Sequence, residues 1–299
     1  MKWAIIGLGI QGIKRSEVLG QKLFSTIDPI SKFAKFKSPY ELNEKVEVVG
    51  ICTPNSVKFE LVDWAISNNM SVLIEKPFIL TRKSQYDYLN YKAKKNKCCI
   101  YVAFNHRFDP GIKKLKSVLQ KNSSEAVYQF NIFYGNGTSR QIQNSNWKNK
   151  KGNLITDLGS HTLDLHNYLL GWMPSNLRLA QLSRNEVIEG DFATLSGTNF
   201  QAQLSYINWK SQFRLEIITS KRFYRLNGLV KWEGSQLDIF SRVYPSGVPK
   251  CKQYIFRGPD KSWALEHKYL ETCIRSKNFG FISTTFPEMN IYNKLIKQI

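Results

Sequence analysis

The sequence lacks any apolar run near the roughly 20 residues that a membrane-spanning helix needs, and no helical span is expected. It also lacks acid: 23 Asp and Glu stand against 43 Lys and Arg, a formal net charge of +20 over 299 residues. Cysteines are scarce and odd in number, at positions 52, 98, 99, 251 and 273, and none shows zinc-site spacing. Neither a disulfide framework nor a structural metal is expected, and the thiols read as buried and reduced. There is no internal repeat and no low-complexity linker. The start, Met1-Lys2-Trp3-Ala4-Ile5-Ile6-Gly7, has no basic lead and no small-residue cleavage site, so it reads as strand and turn, with a cytoplasmic location expected. The basic excess is spread along the whole chain. Its short clusters at 92–97, 113–116 and 148–151 read as solvated faces. A nucleic-acid surface needs cations and interleaved aromatics gathered on one element, which is not the pattern, and no nucleic-acid partner is expected.

What is present is ordinary globular composition, 42% hydrophobic and 22% charged, long enough for about two domains. Strand-like runs at 2–6, 22–27, 46–52, 71–74 and 98–104 alternate with helical stripes, such as Val57, Leu61, Val62, Ala65 and Ile66. A further helix is expected from an N-cap at Thr81 to Lys95. This alternation predicts an α/β domain over 1–110, a doubly wound parallel sheet of the Rossmann type. After Pro110 the pattern changes. A helix at 112–119, a strand at 127–134, a polar loop at 135–153 and alternating runs after residue 190 predict an α+β domain over 111–299 with a mostly antiparallel sheet.

Two motifs carry chemistry. Gly7-Leu8-Gly9-Ile10-Gln11-Gly12 follows a strand and opens a helix, where glycines let a dinucleotide pyrophosphate approach backbone N–H groups. Asp28, 21 residues after Gly7 at the end of the second strand, suits the hydroxyls of an adenine ribose and repels a 2′-phosphate. NAD is therefore expected over NADP, with Lys32 and Lys35 close enough to leave NADP open. The second motif is Asp157-Leu158-Gly159-Ser160-His161-Thr162-Leu163-Asp164. Spacings of four and three place Asp157, His161 and Asp164 near one helical face. A carboxylate beside an imidazole suits proton transfer to or from a hydroxyl or carbonyl; a capped helix start with a satisfied histidine is the alternative.

With Thr53-Pro54-Asn55, Glu75-Lys76-Pro77 and Asn105-His106-Arg107-Phe108 between them, these motifs occur in the order seen in the Gfo/Idh/MocA oxidoreductases, and the chain resembles that family over essentially its whole length. The resemblance implies a nicotinamide cofactor bound by Gly7, Gly9, Ile10, Gln11, Gly12, Asp28, Thr53, Pro54, Asn55, Glu75 and Lys76. It implies catalysis by Lys76, Asp157 and His161: Lys76 donating to the substrate oxygen, His161 acting as general base, and Asp157 holding substrate hydroxyls. Substrate contacts would come from Lys76, Asn105, Asp157 and His161. Asp164 would support the helix or orient His161, and Arg107 would lie near the domain junction. Three features depart from the family pattern: Lys58 stands where a His is common, the glycine run before Asp157 is reduced to Lys151-Gly152-Asn153, and the chain is short.

The expectation is thus an oxidoreductase moving a hydride between NAD(P) and a secondary hydroxyl or ketone of a sugar, cyclitol or nucleotide-linked sugar. The basic balance suits an anionic substrate. A homodimer or homotetramer is expected from the family. The alternatives are a non-catalytic dinucleotide-binding regulator of the same fold and a reductase of a non-sugar substrate.

Overall fold

The computed structural model describes residues 1–145 and 152–299, so the basic cluster at 148–151 and the first residue of the shortened glycine run lie outside the described residues. The chain forms two compact units, Met1–Asn105 with Ser262–Asn290, and His106–Lys261 with Ile291–Ile299.

In the first unit, strands β1 (Trp3–Ile6), β3 (Val48–Ile51), β4 (Ser71–Glu75) and β5 (Cys99–Ala103) are buried at every position. Strands covered by helices on both faces read this way, as unbroken apolar runs. Strand β2 (Leu23–Ile27) sits at the edge and is only partly buried. The order β5-β4-β3-β1-β2 is parallel throughout. Helices α1 (Ile10–Leu19), α2 (Asn55–Ser67) and α3 (Lys83–Lys95) are the crossovers. The order reverses direction between β1 and β3, the position where open α/β sheets bind ligands beyond the strand C-termini. The start of α3 corrects one expectation. Thr81 does not cap the helix; the Gln85 side chain reaches back and accepts from the backbone N–H of Thr81 and of Arg82.

The second unit starts with α4 (Pro110–Lys121), capped by Asp109, whose Oδ1 accepts from Gly111 N at 2.8 Å. Its sheet comprises β6 (Val127–Gly135), β7 (Arg178–Ser183), β8 (Phe192–Gly197), β9 (Phe200–Ser205), β10 (Gln212–Thr219), β11 (Arg222–Asn227), β12 (Ser235–Ser241) and β13 (Cys251–Phe256). The order is β13-β12-β11-β10-β6-β9-β8-β7, antiparallel except for β6 against β9. Register places Ile217 opposite Phe130, and Leu215 and Ala202 opposite Ile132. One face is therefore apolar, and α6 (Ser160–Leu170) packs against β6. A short helix, α5 (Ser139–Gln143), interrupts the expected polar loop.

The chain then returns to the first sheet. Helix α7 (Ser262–Arg275) leads to β14 (Gly280–Ile282), which pairs in parallel with β5 and makes a sixth strand. Helix α8 (Phe286–Ile296) crosses the boundary at residue 290. A contiguous second domain over 111–299 therefore does not describe this arrangement. A three-residue strand has too little pattern to be read in advance, and the amphipathic stripe of α7 does not say which sheet it covers.

Helix α1 is pressed onto the turn before it. A Cβ on Gly12 would lie 1.8 Å from the Gly7 carbonyl oxygen, so only glycine lets the first helical turn come that close. Gly12→Ala should destabilise the protein by at least about 1–3 kcal/mol, the usual cost of overpacking, read as a lower urea midpoint. An unchanged midpoint would refute the packing argument.

Candidate functional site

Gly7, at φ +91°, makes the sharp exit from β1, and its N–H bonds Ile27 O at 2.8 Å. Gly9 differs from its two partners. Its backbone is at φ −71°, ψ −172°, open to any residue, and no protein atom lies within 4 Å of where its Cβ would be. Neither backbone strain nor packing requires glycine there. An approaching ligand would, and the bare space fits the pyrophosphate of a dinucleotide. No side chain caps α1 at this end, which leaves its first N–H groups, from Ile10 on, available to an anion.

Asp28 stands at the end of β2. Its Oδ2 accepts from Leu8 N at 2.7 Å, inside the Gly-rich turn, and its Oδ1 from Ile30 N and Ser31 N at 2.8 Å each. Partial burial pushes its pKa up, but the three N–H groups and Lys37 outweigh this and hold it below the ordinary carboxylate value. Three of about four acceptor positions are thus engaged by backbone. Asp28 braces the turn, and one position on Oδ2 remains for a ribose hydroxyl.

Thr53 follows β3 and lies against the turn, its Cγ2 3.1 Å from where a Gly7 Cβ would be. Asn55 opens α2, yet its amide turns outward to the segment after β4, where Oδ1 accepts from Ile79 N at 2.9 Å. Glu75 ends β4 and Lys76 follows it, half-buried, before a cis bond to Pro77. The Glu75 carboxylate is not free for a ribose alone. Arg15, 1% exposed, donates to its Oε1 from Nε at 2.6 Å, to Glu266 Oε2 at 2.9 Å and to His267 Nε2 at 2.9 Å, with Trp263 against the guanidinium. Burial disfavours the Arg15 charge, but Glu75 and Glu266 outweigh it and raise its pKa. Burial, then the cations Arg15 and Lys22, push His267 down to about 3, so the ring is neutral and accepts from Arg15.

In the second unit the Asp157 motif is helical but not uniformly α-helical. Asp157 lies in a single π-type turn, Ile155–Gly159, that runs into α6. Such bulges re-aim side chains and recur at functional sites. Tyr206 Oη donates to Asp157 Oδ2 at 3.1 Å. His161 is 6% exposed, and its ring lies 3.9 Å, centroid to centroid, from that of His106. His106 Nε2 is 3.2 Å from Tyr134 Oη and 3.3 Å from Lys231 Nζ. Burial first, and the charge of Asp157 second, push the pKa values of Tyr134 and Tyr206 well above the ordinary phenol value. Asp164 does not face the same partners. It takes Arg107 in a buried ion pair, with Nε 3.0 Å from Oδ1 and 3.1 Å from Oδ2.

The structure thus gathers Gly7, Gly9, Gly12, Asp28, Thr53, Asn55, Glu75 and Lys76 at the C-terminal ends of the first sheet, with Pro54 at the N-cap of α2 and Ile10 and Gln11 opening α1. Asn105, also in this unit, donates to Ser262 Oγ at 3.0 Å. Asp157 and His161 belong to the second unit. Sequence reasoning gave no site role to Arg15, Tyr134, Tyr206 or Lys231, noted Lys58 only as a departure and His106 only as part of a motif. Arg15 and Lys58 had a signal: each is a cation in a helical stripe otherwise filled by small or apolar residues. Among the described residues no cluster of three or more His, Cys, Asp or Glu could hold a metal, and no helix is long and apolar enough to cross a membrane.

A parallel sheet with a glycine turn bare toward solvent at its switch point defines a dinucleotide-binding domain. Residues 2–104 match the Gfo/Idh/MocA model, described as an oxidoreductase family with an NAD-binding Rossmann fold. The chain is 26% identical over 160 residues to myo-inositol 2-dehydrogenase of Thermotoga maritima, covering 52% of this chain and 46% of the relative. It is 26% identical over 192 residues to scyllo-inositol 2-dehydrogenase (NAD(+)) of Bacillus subtilis, covering 57% and 54%. The matches span between 35 and 54% of the length of such curated relatives. Among solved structures, UDP-N-acetylglucosamine 3-dehydrogenase GnnA from Acidithiobacillus ferrooxidans shares the fold, with a TM-score of 0.80 at 19% identity, over 100% of this chain and 97% of that one.

Two measurements test the geometry. Gly9→Ala should leave stability within about 1 kcal/mol, as expected for an open N-cap position, yet abolish NADH binding measured by fluorescence. Retained binding would mean that the bare space is not the pyrophosphate site. Because folded His267 titrates below its unfolded value, the unfolded state binds the extra proton between about pH 6.5 and 3. His267 therefore lowers stability as pH falls through that window, by up to about 1.4 kcal/mol per pH unit. Urea titrations of wild type against His267→Gln should show that slope reduced in the variant.

Proposed function

We propose that the chain is an NAD-dependent oxidoreductase that interconverts a secondary alcohol and its ketone on a sugar, cyclitol or nucleotide-linked sugar. The observation that carries this reading is one pairing in one chain: a glycine turn built for a pyrophosphate, and a buried imidazole four residues along the helical segment from a carboxylate held by a tyrosine. Bound nicotinamide supplies the hydride acceptor. His161 takes the hydroxyl proton as the C–H bond breaks with its electron pair, and a ketone forms. Lys76 donates to the same oxygen and stabilises its growing negative charge. Asp157, fixed by Tyr206, accepts from neighbouring hydroxyls and positions the ring. In the reverse direction His161 returns the proton.

NAD is favoured over its 2′-phosphate. Asp28 stays ionised because three backbone N–H groups hold its charge. Of the nearby cations, Lys35 is paired with Glu44 and Lys37 donates to Ser31 O at 2.8 Å, whereas exposed Lys32, over the Phe33 ring at 5.4 Å, leaves NADP open. We further infer a homo-oligomer, as the family resemblance implies, and a cytoplasmic location.

The test is nicotinamide absorbance with purified protein against a panel of cyclitols, sugars and nucleotide sugars, using NAD and NADP in parallel. Turnover should appear with one substrate class and favour NAD. His161→Ala should lower kcat by about 10²–10⁴ and Lys76→Met by about 10²–10³, with NADH still bound. Tight dinucleotide binding with no turnover on any member would instead support a non-catalytic regulator.

A further inference from the structure

Lys58 is 2% exposed and lies one helical turn after Asn55 on α2. Its ammonium donates to the carbonyl of Glu75 and, at 2.7 Å, to the carbonyl of Pro77. Those two carbonyls flank Lys76. Asn55, on the same helix face at i−3, holds the next point along through Ile79 N. The first turn of α2 thus grips the segment 75–79 at three places, two of them through one nitrogen. Among side chains, an ammonium presents three donors from a single point, so it can satisfy two carbonyls two residues apart. Burying it is costly: desolvation pulls its pKa down to about 8 against the opposing charge of Glu75, with Cys52 and Lys76 the other titratable groups facing it.

We propose that Lys58 is a positioning residue for Lys76, setting where the Lys76 ammonium is presented by clamping the peptide carbonyls on both sides of it. The proposal rests on the reading of Lys76 as the group that polarises the substrate oxygen. Lys58 itself touches no reacting atom and acts only through the main chain of the turn. A merely space-filling role would contribute to stability and leave Lys76 unaffected.

Competitive labelling of the intact protein with trace acetic anhydride, read by mass spectrometry for each lysine, tests the clamp without any turnover. In wild type, Lys58 should label at least about tenfold more slowly than the exposed Lys45; labelling at the Lys45 rate overturns the proposal whatever any variant does. In Lys58→Met, Lys76 should label at least about threefold faster, while Lys58→Arg, which keeps the charge and several donors, should recover part of the difference. On the substrate found above, Lys58→Met should lower kcat about tenfold or more with the KM for NAD within about threefold, as misplacement of a catalytic group predicts. A folded Lys58→Met with wild-type Lys76 labelling and wild-type kcat refutes the clamp. If that variant does not fold, Lys58→Gln, whose amide can reach one carbonyl, is read the same way. A clamp upheld by labelling in a protein that oxidises no alcohol would sink the enzyme reading alone. Alcohol oxidation that needs Lys76 but ignores loss of Lys58 would sink the clamp alone.

Discussion

The first unit depends on the burial of one guanidinium. Arg15 sits on α1 beneath the Gly-rich turn and is nearly inaccessible to water, so its charge must be met inside the protein. Glu75 from the end of β4, and Glu266 and His267 from α7, meet it. Removing one partner of a buried pair leaves the other charge uncompensated, at a cost of about 3–5 kcal/mol. Such a cluster is poor evidence of net stabilisation, since a well-packed apolar set can do as well. Its effect is on uniqueness: the planar fork of Arg15 accepts its partners in few orientations. Helix α1, the last residue of β4 and the returning helix α7 are thereby tied to one arrangement. His267 stays neutral so that it can accept.

That constraint passes along the chain to the residues that would do chemistry. With its side chain held by Arg15, Glu75 presents its carbonyl to Lys58, and Lys58 also takes the carbonyl of Pro77. On the other side of α1, Asp28 anchors Leu8 and so fixes the turn whose Gly9 faces open space. Lys58 and most of the acceptor capacity of Asp28 are therefore engaged in shaping main chain. This follows from the parallel sheet, where the strand ends are the only places at which backbone polar groups emerge from an apolar core.

The architecture was legible in the sequence wherever a period was long enough to be read. The unbroken apolar runs of β1, β3, β4 and β5 and the stripe of α2 led to the parallel sheet, and the alternation at 200–206 and 213–217 led to the second one. The three residues of β14 were beyond that reach, because pattern needs repetition. The site divides in the same way. Gly7, Gly9, Gly12 and Asp28 act through backbone geometry at fixed spacing and were visible in advance. Asp157, His161 and Asp164 were placed near one face with α-helical spacing, but Asp157 lies in a π-type turn before α6 and Asp164 pairs with Arg107. Arg15, Lys58 and Tyr134 occupy positions that periodicity assigns to the core, and only their partners, distant in sequence, explain why a polar group is there.

In the second unit, buried polar groups set the surroundings of His161. Lys231 Nζ lies 3.3 Å and Tyr134 Oη 3.2 Å from His106 Nε2, so an ammonium there can only donate and opposes a second positive charge on the His106 ring. The His106 ring packs against that of His161, tilted by 38° with the centroids 3.9 Å apart. Were His106 protonated, two imidazolium rings 3.9 Å apart would repel strongly. Tyr134 and Tyr206 stay in their phenol form because burial and the charge of Asp157 both oppose ionisation. The anionic charge of this cluster therefore rests on Asp157. If His161 is the base we propose, the proton it takes enters a cluster whose phenols stay neutral and whose Asp157 carboxylate favours the added charge.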